Sequence, residues 1–382
     1  MSKRILLIGH SADMYGASRS LSKLVRILDK DHLVYVMLPA EGLLYDVLKG
    51  IIPQGRIILN PDLYIFTRRS FKLRYLFSTL FQFLKNIRSI TRIIRKEQID
   101  IVHTNSGVIP AGALAARLTG KKHLWHIREW FGDFKKFWPY YSSYMTSLSD
   151  RVICVSETMA SQFSDKKNVI AIYNGFPIPE IGDIPPAVGE LQKTLDGADL
   201  VLGCTSRIRL VRKGQEYLIE AIGMLTEQTG KKIHLVLIGD YVPGYEYQKE
   251  VLEGLIKKYK LEQRVHFLGH LNDPLPYYSL FDAFVLPSGE PEPFGGVVME
   301  AMSMGLPVIG SSLGGTPEQV EDGWNGYLFE NKNPIDLAAK IELLFDDPQK
   351  LKEFGRRSTE RMENLFSLQL HEGKILELYK SL

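Results

Sequence analysis

A chain of 382 residues is longer than one hydrophobic core usually supports, so two domains are expected. Its 45% hydrophobic and 24% charged residues describe a folded globular protein and exclude a disordered one, and no run of about 18 apolar residues offers a bilayer span. The net charge of +3 conceals an asymmetry, with 26 Lys and Arg against 14 Asp and Glu in residues 1–180 and 21 against 30 in the remainder, so that only the first half suits an anionic surface.

The segment KRILLIGH opens the chain with a four-residue apolar core, too short for a secretory signal, so the protein is expected in the cytosol. RILLIG reads as a strand. Ala17 to Leu28 follows as a helix, with Leu21, Leu24, Val25 and Leu28 at i, i+3, i+4 and i+7. HLVYVMLP, RIILN, IDIVHTN, KHLWHI, RVICVS and NVIAIYN are further strands with helical patterns between them, and this alternation predicts a parallel, doubly wound sheet. Cys154 and Cys204 lie in strand-like runs and are expected as buried free thiols, without metal or disulfide spacing.

Residues 64–97 hold nine Lys and Arg against one acid, interleaved with Phe, Tyr, Leu and Ile. Leu80, Phe83, Leu84, Ile87, Ile90 and Ile94 follow helical spacing. A sheet-covering helix with a solvated basic face explains that stripe but not the excess of cations, which suits an anionic membrane surface. The aromatic and basic stretch 131–141 is a second candidate for lipid or acceptor contact. No recognition motif for nucleic acid accompanies these charges.

The prolines and glycines of residues 176–190 break the rhythm and mark an interdomain linker. Domains are expected over 1–180 and 181–365, with 366–382 a terminal helix packing back toward the first. Past the linker the alternation restarts with LVLGCTS, KIHLVLIG, VHFLG, DAFVLP, PVIGS and GYLF as strands, and from Pro334 the pattern is helical. Residues of interest fall after strands in both halves, where ligands of such sheets bind, and are expected to converge on a cleft.

The most informative stretch is SGEPEPFGGVVMEAMSMGLPVIGSSLGGTPE, in which Glu292 and Glu300 stand eight positions apart. It reads as a strand end, a loop, and a helix starting at Gly296. Amides at a helix N-terminus form an anion site, and Gly295 and Gly296 would let a phosphate approach the backbone. Carboxylates accept from paired hydroxyls, so one loop–helix unit could hold a phosphate between two polyols.

This stretch, with Glu292-x-Phe294-Gly295, Glu300-Ala-Met, Gly-x-Pro-Val and Gly-Gly-x-Pro-Glu, resembles the E-x7-E motif of retaining glycosyltransferases of the GT-B fold, family four. The resemblance implies two Rossmann-like domains facing a cleft, a nucleoside diphosphate sugar as donor, a glycan or lipid-linked hydroxyl acceptor, no cofactor and no metal. By the same likeness Glu292 holds sugar hydroxyls, Glu300 holds the ribose, and Arg207 and Lys213 clasp the diphosphate, although Cys204-Thr205-Ser206 stands where the family often has Val-Gly. Gly16 matches the second glycine of the family's first loop, whereas Tyr15 replaces the first. His126 matches a histidine facing the donor sugar, followed here by Ile127 and Arg128 where Asp is common. His103, Asn174, His270 and Leu271 match further substrate-binding positions. Asp29-Lys30-Asp31 spells the metal-binding D-x-D but sits in an ordinary polar turn. An epimerase or phosphorylase of the same fold, or a non-catalytic membrane-associated partner, are the alternative readings. The location implied is the inner face of the plasma membrane.

Overall fold

The computed structural model describes residues 2–132, 134–164, 167–179, 182–242, 244–245 and 247–382, apart from the side chains of Arg68 and Phe71. It comprises two compact units, Met1–Asn174 with His371–Leu382, and Gly175–Leu370.

The first unit runs β1 (Arg4–Ile8), α1 (Gly16–Leu28), β2 (Leu33–Leu38), α2 (Leu43–Lys49), β3 (Ile57–Leu59), α3 (Leu76–Lys96), β4 (Ile101–Thr104), α4 (Ala111–Leu118), β5 (Lys122–Ile127), α5 (Trp138–Leu148), β6 (Arg151–Cys154), α6 (Glu157–Ala160) and β7 (Val169–Ala171). The seven strands form one parallel sheet in the order β3-β2-β1-β4-β5-β6-β7. Parallel neighbours need long crossovers, which the helices supply, and strands covered on both faces become continuous apolar runs. That is why RILLI and LVYVML stand out in the sequence. Leu21, Leu24, Val25 and Leu28 of α1 pack into the core with Ile5, Leu7 and Val36, as the periodicity predicts.

The stripe expected on α3 divides along its length. Ile87, Ile90 and Ile94 are buried, whereas Leu80 and Leu84 are 53% and 48% exposed. A helix of 21 residues extends about 31 Å, while the five-residue strand β1 extends about 17 Å. Periodicity tells which residues share a face; it does not tell how far the sheet reaches beneath them.

The second unit runs α7 (Pro186–Thr194), β8 (Leu200–Thr205), α8 (Gln215–Thr229), β9 (Ile233–Ile238), α9 (Tyr247–Lys258), β10 (Val265–Phe267), α10 (Leu275–Tyr278), β11 (Ala283–Leu286), α11 (Gly296–Ser303), β12 (Val308–Ser311), α12 (Thr316–Gln319), β13 (Gly326–Phe329), α13 (Pro334–Phe345) and α14 (Pro348–Phe366), and is followed by α15 (Leu368–Lys380), whose residues from His371 onward belong to the first unit. Its six strands are again parallel, in the order β10-β9-β8-β11-β12-β13.

The expected linker is partly helical, since α7 begins at Pro186. Proline lacks the N–H that a first-turn residue leaves unused, so it starts a helix as readily as it interrupts one. Glu180 and Ile181, where the domain boundary was expected, lie outside the described residues. The end of α15 clusters with the first unit, where Ile375, Leu378 and Tyr379 join the core around β1 and β2.

Candidate functional site

In the second sheet the chain passes from β8 outward to β9 and β10, then returns to β11 on the other side. The loops after β8 and β11 therefore flank the point where strand order reverses, a place that favours ligand binding. Backbone contacts join these loops: Gly289 and Glu290 donate to the Arg212 carbonyl at 3.0 and 3.3 Å. Gly214, at φ +72°, lies so close to the Pro287 carbonyl that a Cβ would overlap it. Lys213 Nζ thereby reaches Glu292 Oε1 as an ion pair, and Ser288 Oγ donates to the same oxygen at 3.1 Å. The paired side chains are 21% and 19% exposed, partly withdrawn from water, so their attraction is less screened than that of a surface pair. From the opposite side Gly315 donates to the Glu292 carbonyl at 2.7 Å, and Gly314, at φ +64°, packs on the Glu292 backbone. Both members of the pair are thus fixed by main chain.

Arg207 stands exposed on the same loop, six residues before Lys213. Its carbonyl accepts from Gln215 Nε2 at 3.1 Å, and that nitrogen also donates to Ser206 Oγ at 2.8 Å. Gln215, 1% exposed, is the internal tie of the loop and carries no sequence signal beyond following Gly214. Arg212 Nε pairs with Glu290 at 3.5 Å, and the Arg209 guanidinium lies over the Tyr245 ring at 5.2 Å.

One expectation at α11 needs correction. The Gly295 amide is already used: it donates to Gln319 Oε1 at 3.0 Å, while Gln319 Nε2 returns to the Gly295 carbonyl at 2.9 Å. Gln319 stands just past Gly-Gly-x-Pro-Glu and pins the loop so that the open end of α11 begins one residue later, at the exposed Gly296. Glu300 is buried and accepts from Tyr278 Oη at 3.1 Å. Burial, and then the Glu300 charge, raises the Tyr278 hydroxyl well above its usual range, so it remains a donor. Phe294 meets Phe366 edge to face at 5.4 Å. His270 is exposed and its amide donates to Asp240 Oδ1 at 3.0 Å, beside the half-buried Leu271.

The first unit gathers a second group, centred on a residue that belongs to no recognisable motif. Arg128 donates through Nε to Asn105 Oδ1 at 3.1 Å, through Nη1 to Asn174 Oδ1 at 2.9 Å, and through Nη2 to His126 Nδ1 at 3.3 Å. Asn105 Nδ2 donates to the Ala17 carbonyl at 3.1 Å, linking the loop after β4 to the start of α1. Gly16 itself borders open space, where a Cβ would meet no atom within 4 Å. Glu129 accepts from Ser106 Oγ, and from the Gly107 and Arg128 amides at 2.8 and 3.1 Å. Burial lowers the Arg128 guanidinium to about 10, still charged at neutral pH.

His103 and His126 stack with ring centroids 5.5 Å apart, and His103 Nδ1 meets Tyr379 Oη at 2.6 Å. Burial first, then the Arg128 charge, depresses both imidazoles well below their usual value, so both are neutral. Nε2 of each is buried and finds no partner among the described residues. A neutral imidazole with an unused nitrogen, sealed from bulk water, can exchange hydrogen bonds with a polyol.

The residues expected to bind substrate thus form two groups, one per unit: Lys213, Glu292, Gly296 and Glu300 in the second, and His103, His126 and Asn174 in the first. Asp29 of the D-x-D triplet is occupied by Arg56 Nη1 at 2.5 Å. Among the described residues no His, Cys, Asp and Glu gather into a metal-holding group. Cys154 and Cys204 are buried and free, and burial pushes the Cys204 thiol up to about 12.

Residues 14–178 match the model of Glycosyltransferase Family 4, and residues 192–361 that of Glycosyl transferases group 1. The chain is 25% identical to the capsular polysaccharide biosynthesis glycosyltransferase CapM of Staphylococcus aureus over 79% of its own length and 82% of that protein. It is 26% identical to the UDP-Gal:alpha-D-GlcNAc-diphosphoundecaprenol alpha-1,3-galactosyltransferase of Escherichia coli, over 79% and 80% of the two chains. Among solved structures, Anabaena Alr3699/HepE in complex with UDP and glucose superposes with a TM-score of 0.79 at 24% identity, covering all of both chains.

Proposed function

Because the chain belongs to the group 1 glycosyltransferases and has their GT-B fold, we propose that it is a retaining enzyme that moves a sugar from a nucleoside diphosphate donor to a glycan or lipid-linked hydroxyl acceptor. The observation that carries this reading is the Lys213–Glu292 pair, fixed by main chain where strand order reverses and next to the open end of α11. It offers a cation for a diphosphate and a carboxylate for sugar hydroxyls within one side-chain contact.

In this reading the bond between the anomeric carbon and the donor phosphate breaks, and its electron pair leaves on the diphosphate. Arg207 and Lys213 stabilise the charge that develops there, Arg by a two-pronged contact and Lys as a point charge. First-turn amides of α11 from Gly296 onward add to the same potential. Glu292 orients sugar hydroxyls, Glu300 the ribose, and Phe294 and Gly295 shape the loop between them. His270 and Leu271 flank the base. By the family resemblance His126 contributes a contact to the transferred sugar, and His103 and Asn174 are further substrate-binding residues. The acceptor oxygen attacks from the face the leaving group vacates, its proton passes to the departing phosphate oxygen, and the configuration is retained without a divalent ion.

The Escherichia coli relative takes, by its name, a UDP-sugar donor and a diphosphoundecaprenol-linked acceptor. Together with the UDP held by the Anabaena protein, this favours a UDP-sugar over a GDP-sugar and an acceptor presented at a membrane. A melting-temperature panel of UDP, GDP and their sugars tests the donor, since a ligand bound only by the native state raises the melting point by mass action. A shift with UDP and its sugars, followed by acceptor-dependent release of UDP, supports the reading. If no nucleoside diphosphate raises the melting point, the donor assignment is wrong.

A further inference from the structure

We propose that α3 is a membrane-docking element with its own polarity, in which its first half inserts side chains into the lipid and its second half binds headgroup phosphates of anionic lipids. This rests on the membrane-presented acceptor of the proposed function only for its purpose; the surface itself stands on separate observations.

The first is the amount of apolar surface left uncovered. Phe77 is 88% exposed, Phe81 67%, and Leu76, Leu80 and Leu84 are 53%, 53% and 48% exposed. At 3.6 residues per turn these five side chains fall in one sector about 140° wide on the first turns of the helix, and Ile87, Ile90 and Ile94, which face the core, lie along one edge of that sector on the later turns. Leu73, at 86%, extends the patch just ahead of the helix. Isolated exposed apolar residues are ordinary, whereas a contiguous patch of large ones signals a binding surface.

The second is an arginine row farther along the same face. Continuing along that sector, the helix presents Arg88, Arg92 and Arg95, all exposed, with Thr91 between them. These four residues, with Ile87 and Leu118 of α4, line a crevice of about 530 Å³. An adjacent crevice of about 630 Å³ shares Arg95 and Leu118 and adds Arg4 and Lys121. Guanidinium groups fork onto phosphate oxygens. A soluble apolar partner would not need this arginine row, and a phosphate-bearing polymer would not need the phenylalanines. A bilayer surface carrying anionic lipid needs both, at two depths.

The third joins the other segment singled out in the sequence. Phe66 packs against Phe83 of α3 and Tyr141 of α5 at 6.1 Å each, and Tyr141 stacks on Phe137 at 5.1 Å. The stretch carrying Lys135, Lys136 and the 78% exposed Tyr140 is thereby anchored beside α3. Tyrosine and lysine are suited to the interface between acyl chains and headgroups.

The test uses the full chain with vesicles of phosphatidylcholine alone or with 30 mol% phosphatidylglycerol, roughly the anionic fraction that gives a surface potential able to attract polybasic segments. The chain should sediment with the anionic vesicles and not with the neutral ones. Phe77→Ser with Phe81→Ser, and separately Arg88→Ser with Arg92→Ser and Arg95→Ser, should each weaken partitioning about tenfold or more. Because the substituted side chains are exposed, the melting point and its rise with UDP should match the parent, so loss of docking is read apart from loss of the donor site. Binding by the phenylalanine variant equal to the parent's overturns the proposal. So does a parent chain that ignores anionic vesicles, including the case where it sediments as a dimer that the same double substitution dissociates, since the face would then join two copies.

Discussion

The Arg128 guanidinium donates to Nδ1 of His126 at 3.3 Å, and this contact decides which imidazole nitrogen carries the proton. Arginine has no acceptor and remains charged, so Nδ1 must accept. The ring is held neutral by burial and by the Arg128 charge, so its single proton resides on Nε2, the nitrogen without a partner among the described residues. His126 is therefore a pure donor toward any ligand, a narrower role than the donor-and-acceptor one that its type alone allows.

Arg128→Lys should disturb this arrangement while keeping the charge, because an ammonium cannot hold Asn105, Asn174 and His126 in a fixed fork. Nitrogen NMR of labelled histidine should report the Nε2–H form for His126 in the parent and a mixture in the variant. Turnover should fall about 10- to 100-fold with the donor KM nearly unchanged, the signature of a misaimed transition-state contact. An unchanged tautomer in a folded Arg128→Lys protein would remove Arg128 from the role of positioning residue.

Lys213 and Glu292 should separate binding from turnover. Before donor arrives, Lys213 is paired with Glu292, and a diphosphate must share or take that cation. Lys213→Ala should abolish the UDP-induced rise in melting point and lower turnover by about 10² or more. Glu292→Gln leaves the lysine free for phosphate, so UDP should still raise the melting point, by as much as in the parent or more, while turnover falls comparably. Equal loss of UDP binding in both variants would contradict separate roles for the two residues.

The strands and the two glycine-bearing loops that carry Lys213 and Glu292 were legible because each leaves a local signature, whereas the ion pair between those two side chains was not expected. Continuous apolar runs mark strands covered on both faces, and glycine-rich motifs mark the approach of backbone to backbone. Gln215, Gln319, Tyr278 and Arg128 were not legible, since each is one polar residue whose purpose lies in a distant partner. Gln319 reaches back 24 residues to Gly295, and Tyr379 meets His103 across 276. The exposure of Leu80 and Leu84 was hidden for a related reason: a helical repeat is a property of the segment, whereas coverage depends on the extent of the sheet beneath it.

The glycines divide in the same way, and two substitutions expose the difference. Gly314 combines a φ of +64° with a backbone contact to Glu292 that a methyl group would invade. Gly314→Ala should cost about 1–3 kcal/mol of stability, through strain and displacement of the loop, and depress turnover with it. Gly16 has neither constraint. Gly16→Ala should leave the melting point unchanged or slightly raised, because alanine favours the first turn of α1. If its turnover nevertheless falls, the cause is the approach of a ligand to that turn, which is what the family resemblance implies for Gly16.

Acidification should weaken the fold well before carboxylates protonate, and the first unit supplies the reason. Burial holds His123 down to about 3 and His371 down to about 4, and it lowers His103 and His126 strongly as well. Unfolding releases these imidazoles to an ordinary value near 6.5. Below that value the unfolded chain binds protons that the native chain refuses, so stability is fully present above about pH 6.5 and is lost as pH falls toward the native values. Each histidine adds a slope approaching about 1.4 kcal/mol per pH unit in that window. Melting followed by circular dichroism should show the midpoint falling from pH 6.5 to 4.5. In His371→Gln, whose side-chain amide can still donate to the Tyr173 carbonyl that His371 Nδ1 meets at 2.8 Å, the fall should be shallower by one histidine's share. A midpoint independent of pH across this range would mean that these rings do not titrate on unfolding, and would remove the buried neutral histidines from the forces that hold the first unit together.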